Sequence, residues 1–166
     1  MFSTLNDFIF LWSHEFEQTQ KILKHLNDRS LSQAIAPGGR TIGFLAWHLV
    51  NTISEMMNRT GLQIPEPESG DTPPSSAKAI FDAYNTAAEK LLSEVRARWT
   101  DAALAVKDDM YGEQWKRSDT LMALVLHQVH HRAQMTVLMR QAGLRVPGLY
   151  GPSKEEWAAM GMEAPR

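Results

Sequence analysis

The feature that most constrains this chain is a spacing. Leu5, Phe8, Ile9, Trp12, Phe16, Thr19, Leu23 and Leu26 recur by threes and fours, which lays one apolar stripe along a helix. Such a stripe needs other helices to cover it, and the chain supplies them. After the break Ala36-Pro37-Gly38-Gly39, a second stripe runs through Ile42, Leu45, Ala46, Leu49, Ile53, Met56 and Met57, ending near Gly61. A third carries Ile80, Phe81, Tyr84, Ala88, Leu91, Leu92, Val95 and Trp99, with Ser75 or Ser76 as its cap. A fourth helix opens at Ser118 or Asp119 and stops near Gly143, a natural C-terminal signal.

Between the second and third helices, PEPESGDTPPSS reads as a surface loop. The stretch from Thr100 to Arg117 is less periodic, and Ala103–Val106 and Tyr111–Trp115 read as short extended pieces crossing an end of the fold. In the tail, Ser153-x-x-Glu156 is a capping box for a short last helix. The reading is an all-α fold, a four-helix bundle in a single domain over residues 1–166, with a long connection between helices two and three.

Composition bears on function mainly by exclusion. A formal charge of −2 gives no field to hold a nucleic-acid backbone. The absence of cysteine removes thiolate metal sites, disulfides and cysteine nucleophiles, so any metal is held by nitrogen and oxygen. The opening MFSTLNDFIFLWSHEFEQ carries Asp7, Glu15 and Glu17 on a helical rhythm, without a basic start or small-residue cleavage site. No run approaches the roughly 18 apolar residues of a membrane span; a cytoplasmic location without membrane contact is the default expectation.

The chemistry concentrates in LHQVHHRAQ, where three of the chain's six histidines, His127, His130 and His131, fall within five residues. On a helix, His127 and His131 share a face, while His130 is turned away from His131 by roughly 100°. Leu124, Met135 and Leu138 continue the line of His127 and His131, so the pair looks toward the core, where buried imidazoles need a metal or a hydrogen-bonded network. A His127/His130 pair is the alternative at the shorter spacing. Two ligands are too few, and His48, on the flank of the second stripe, supplies the third. His14 and His25 fall on the exposed face of the first helix.

Asn51, Thr52 and Gln134 could orient imidazoles or bound water from outside the ligand set, although for each a structural role is the favoured reading, and Glu55 is a weaker candidate for a fourth ligand or base. Tyr111, Trp115, Lys116 and Arg117 could line the mouth of the site and read an anionic substrate, though packing and solvation are the favoured explanation; Trp47 reads as core. A zinc peptidase of the H-E-x-x-H type is rejected, because Gln128 stands where the general-base glutamate belongs and cannot accept a proton.

The stretches GGRTIGFLAWHLVNTISEM and HQVHHRAQMTVLMRQAGLRVPGLYGPSKEEW together resemble the DinB family of DinB/YfiT-like proteins. That family shows a histidine early in its second helix, then His-x-x-x-His followed by Arg-Gly-Gln, then a Pro…Tyr-Gly tail. The resemblance implies a DinB-type bundle, often a homodimer, with a divalent metal held at positions matching His48, His127 and His131. Ala133 stands where the family usually has glycine. The family's activities range from metal-dependent hydrolysis to transfer of small thiols, including bacillithiol S-transferases and mycothiol-dependent maleylpyruvate isomerases, and fold does not choose among them.

Three imidazoles leave a coordination position open for a nucleophile, with zinc the best fit and nickel, iron and manganese also accepted. The leading reading is a metal-dependent S-transferase or hydrolase acting on a small-molecule substrate such as a low-molecular-weight thiol, with no nucleic-acid partner. Its rivals are a non-catalytic metal-stabilised or stress-related small-molecule-binding protein, and a metal-free hydrogen-bonded histidine cluster.

Overall fold

The computed structural model describes residues 2–165. Four helices dominate: α1 (Leu5–Lys24), α2 (Ile42–Asn58), α3 (Ala77–Arg98) and α4 (Arg117–Gln141). A two-stranded antiparallel hairpin, β1 (Lys107–Met110) and β2 (Glu113–Lys116), precedes α4. Each of α1 and α2 packs against both α3 and α4, so α1 and α2 occupy opposite corners of the bundle.

The stripes face one core. Phe8, Trp12, Ile42, Leu49, Ile53, Ile80 and Leu91 are fully buried, and burial of a large aliphatic or phenyl side chain stabilises by about 1.5–3 kcal/mol. Local chemistry sets the helix ends. Thr4 accepts from the amide of Asp7, whose carboxylate accepts from the amide of Thr4 in return, a capping box at α1. Thr41 and Ser76 cap α2 and α3 through their hydroxyls. At the end of α4, Gly143 takes φ 71°, and the amides of Gly143 and Leu144 donate to the carbonyls of Arg140 and Met139, a Schellman closure.

Several expectations from the sequence are corrected. Of Ala103–Val106 only Val106 is extended, because Asp101–Ala105 forms a 3-10 turn and the Asp101 carboxylate accepts from the amide of Leu5 at 2.8 Å. The second expected piece, Tyr111–Trp115, holds in part: Glu113–Trp115 lie in β2, which pairs with β1. Helix α4 starts at Arg117, with Lys116 as a cap that offers no side-chain hydrogen bond, since β2 runs straight into it. The last helix is a three-residue 3-10 turn, Ala158–Met160. Of its expected capping box only half forms: Glu156 accepts from the amide of Ser153 at 3.0 Å, while the Ser153 hydroxyl has no partner. No helix among the described residues is long and apolar enough to cross a membrane.

Two features bring the second helix to the centre of interest. Gly43 lets the first turn of α2 approach the 3-10 turn Asp28–Ser32, where an added Cβ would lie 3.1 Å from the Leu31 carbonyl oxygen. The long loop 59–76 folds back along α2, because the Trp47 indole and the Asn51 amide both donate to the Gly70 carbonyl, at 2.7 and 3.0 Å.

Candidate metal centre

His48 projects from the flank of α2, and His127 and His131 project from successive turns of α4, the helix packed beside it. One ring nitrogen from each lies within 4.8 Å of the others. The His48 and His127 Nε2 atoms are 2.9 Å apart. The rings of His127 and His131 have centroids 4.4 Å apart, with His48 and His131 at 4.8 Å. Two nitrogens bound at about 2.0–2.1 Å to a tetrahedral ion stand roughly 3.3 Å apart, so the donor set fits a single divalent ion after small ring adjustments.

The tautomer of His131 is fixed by its neighbour. Its Nδ1–H donates to the Gln134 Oε1 at 2.7 Å, which leaves Nε2 with a free lone pair. All three imidazoles are held below the ordinary histidine pKa, in each case mainly by burial. His127 falls to about 4, with its histidine neighbours adding to the effect. Neutral rings carry the lone pairs that metal binding requires.

His130 is exposed and outside this cluster, although its Nε2 pairs with the Gln134 amide nitrogen at 3.1 Å. Gln128 is fully buried and donates to the Leu49 carbonyl at 3.0 Å. It therefore ties α4 to α2 one residue from each of His127 and His48, a positioning role that spacing alone did not reveal.

The orienting roles expected of Asn51 and Thr52 are not seen. Asn51 turns to Gly70 and Asp71, and the Thr52 hydroxyl reaches the Leu49 carbonyl of its own helix. The Thr52 hydroxyl is taken by a carbonyl three residues back in its own helix, and the Asn51 amide is taken by the folded-back loop. Among the four mouth candidates, Tyr111 alone touches this region, donating its hydroxyl to Glu55 at 3.0 Å. Arg117 pairs with Asp108 at 2.8 Å and lies over the Trp99 ring, Trp115 donates to Glu113, and Lys116 closes the hairpin. Trp47 is buried, as core.

A cavity of about 470 Å³ opens beside His48, walled by Asn51 and Glu55 on α2 and by Glu66, Gly70 and Asp71 on the folded-back loop. On the other side of His131, Arg132 is buried with Glu15 of α1 and the hydroxyl of Tyr150. Arg132 also donates to the Glu15 carbonyl and to Thr19, at 3.0 and 2.9 Å, and Tyr150 donates to the Glu15 carboxylate at 2.5 Å. Burial first, then that carboxylate, pushes the Tyr150 hydroxyl up to about 12.

These features define a four-helix bundle with three histidines gathered between two helices. The chain belongs to the DinB family, whose description matches residues 1–166. It is 45% identical over 166 residues to the uncharacterized protein YrdA of Bacillus subtilis strain 168, an alignment covering 100% of this chain and 99% of that one. A solved DinB-like protein from Bacillus cereus ATCC 10987 is 46% identical with a TM-score of 0.87, covering 90% of this chain and 100% of that one. A second, the DinB-like YjoA of Bacillus subtilis, is 15% identical with a TM-score of 0.68 over 89% of this chain and 99% of its own, and shares the fold.

Proposed function

We propose that this protein is a metal-dependent enzyme in which His48, His127 and His131 hold a divalent ion, zinc by preference, that activates a thiol or water for attack on a small-molecule substrate. The observation that carries this reading is the convergence of three neutral imidazoles from two helices, one of which, His48, lines an open cavity, with no carboxylate in the set. A bound divalent ion lowers the pKa of a nucleophile coordinated to it. The chain's own residues supply the rest. Gln134 holds His131 in one tautomer, Gln128 fixes the spacing of the two helices, and the loop anchored at Gly70 shields one side of the cavity.

Whether the nucleophile is a thiol, as in an S-transferase, or water, as in a hydrolase, follows from what enters that cavity. A non-catalytic metal-stabilised or small-molecule-binding role is the second reading; a closed structural site takes a fourth protein ligand, and the cluster contains three residues. The proposal also includes a homodimer, as the family resemblance implies, to be checked by light scattering.

Metal content after zinc loading and desalting is the test. One equivalent is expected for the wild type and near-complete loss for His48→Ala and His127→Ala. Undiminished metal in both variants would sink the assignment. The 2.9 Å contact between His48 and His127 is also what a metal-free cluster makes, with one Nε2–H donating to the other. A metal-free role predicts no rise in unfolding temperature with zinc, whereas binding to the native state must raise it.

A further inference from the structure

We infer that the outer face of α4 docks against the α4 of a second copy of this chain, antiparallel, about a two-fold axis passing between Val129 and His130. This gives a surface to the homodimer in the proposal above and is independent of the metal assignment.

A bundle helix ordinarily turns charge to solvent. Here α1 exposes Asp7, Glu17, Lys21 and Lys24, and α3 exposes Lys78, Asp82, Glu89, Arg96 and Arg98. From Thr120 to Met139, by contrast, α4 carries a single charged residue, Arg132, and that one is buried against Glu15. Its solvent side presents the half-buried Met122 and Val129 and the exposed Leu126, Ala133 and Val137. Leu126 is 59% and Val137 52% exposed. Helix α2 is as poor in charge, but the loop 59–76 and the turn Asp28–Ser32 lie against it. On α4 the tail 146–153 borders Thr136, Val137 and Arg140 and leaves Leu126 open. A helix that is apolar on both sides calls for cover on both.

Spacing and charge choose the occupant. Met122, Leu126, Val129, Ala133 and Val137 recur by threes and fours, the seam of a helix pair, and the seam is about 22 Å long at the helical rise. Leu126 and Ala133 lie equally far from the point between Val129 and His130, as do Met122 and Val137, and Asp119 and Arg140. A two-fold axis at that point sets each against its mate on the other copy, as an isologous contact requires. Leu126 meets the partner's Ala133, large against small. Met122 meets the partner's Val137, which in each copy shares an apolar cavity with Ile35, itself 67% exposed. Asp119 meets the partner's Arg140, so opposite charges close both ends of an uncharged seam. The Arg140 guanidinium holds Glu155 of its own tail with two nitrogens and has further N–H donors. A parallel pairing sets Asp119 beside Asp119 and Arg140 beside Arg140, which selects the antiparallel one. An unrelated protein has no reason to satisfy this symmetry; a second copy does.

Light scattering and cross-linking of the full chain test the inference. At micromolar concentration the wild type is expected at twice the chain mass of 18.7 kDa. Leu126→Glu, which sets a charge on each side of the seam, is expected at the single-chain mass with unchanged helical circular dichroism, because Leu126 is exposed in the single chain. Phe10→Glu makes a comparable change on α1, at an apolar residue 81% exposed, and is expected to remain dimeric. The chain has no cysteine, so Leu126→Cys/Ala133→Cys reports the register. Mild oxidation is expected to give a covalent dimer, since the two positions lie two turns apart on one helix and cannot bridge within it. Leu126→Cys alone is expected to stay unlinked.

A monomeric wild type overturns the inference and the homodimer together. A dimer that survives Leu126→Glu, one that Phe10→Glu dissociates equally, or a double-cysteine variant that forms no covalent dimer overturns the inference while leaving the homodimer and the metal centre standing.

Discussion

Gln134 and Arg132 flank the same turn of α4 and do different work. Gln134 is exposed and acts on His131 through one hydrogen bond, so Gln134→Ala is expected to leave metal-free stability within about 0.5 kcal/mol and to weaken zinc roughly 10- to 100-fold. Chelator competition and urea unfolding measure the two effects separately; an unchanged zinc affinity would remove Gln134 from the site. Arg132 is buried against Glu15, and Arg132→Met strands that carboxylate in the core. A loss of about 3–5 kcal/mol in urea unfolding is expected, partly recovered when Glu15→Met is added. A loss below about 1 kcal/mol would contradict the buried pairing. Of these residues the histidines could be found from spacing, since His127 and His131 share a helical face and His48 completes the count. Glu15 and Arg132 could not. Their partnership spans 117 residues, and nothing in the rhythm of α1 distinguishes a buried glutamate from the exposed Glu17 two positions later.

The elements were readable to different degrees for the same kind of reason. Each long helix buries a stripe, and a stripe is visible without knowing its partner. Of the hairpin only the second strand is visible, within Tyr111–Trp115; the first is not, because Lys107-Asp108-Asp109-Met110 has no apolar alternation, and the pairing is set by the turn at Tyr111-Gly112 and by the Arg117–Asp108 bridge. The loop after α2 reads as mere surface in sequence, yet it is tied down at both of its neighbours. Glu94 of α3 accepts from the Gln63 amide at 3.0 Å and pairs with Lys90 and Arg98 at 2.9 and 2.6 Å. The Lys90 hydrogen bond, chiefly, holds the Glu94 carboxyl below its usual range. A depressed folded-state pKa contributes stability that is complete above the unfolded value and is lost as pH falls through the folded one. The urea midpoint of wild type is therefore expected to drop between neutral and acid pH by more than that of Glu94→Gln; identical pH profiles would exclude Glu94 as a contributor.

At the level of the whole molecule, the bundle brings together what the chain keeps far apart. Because α1 and α2 lie at opposite corners, α4 faces both: toward α1 it sends Arg132, toward α2 it sends Gln128 and the histidines. The buried charge pair and the buried amide set the position of α4 on two sides, and the imidazoles meet His48 as a consequence. An open cavity on the α2 flank lies against His48. The central claim is that this meeting point is a metal centre, and anomalous diffraction at the zinc edge from zinc-grown crystals tests it most directly. The account predicts one strong peak among the His48 Nε2, His127 Nε2 and His131 Nε2 atoms. A peak only elsewhere, or none with zinc present in excess, would contradict it.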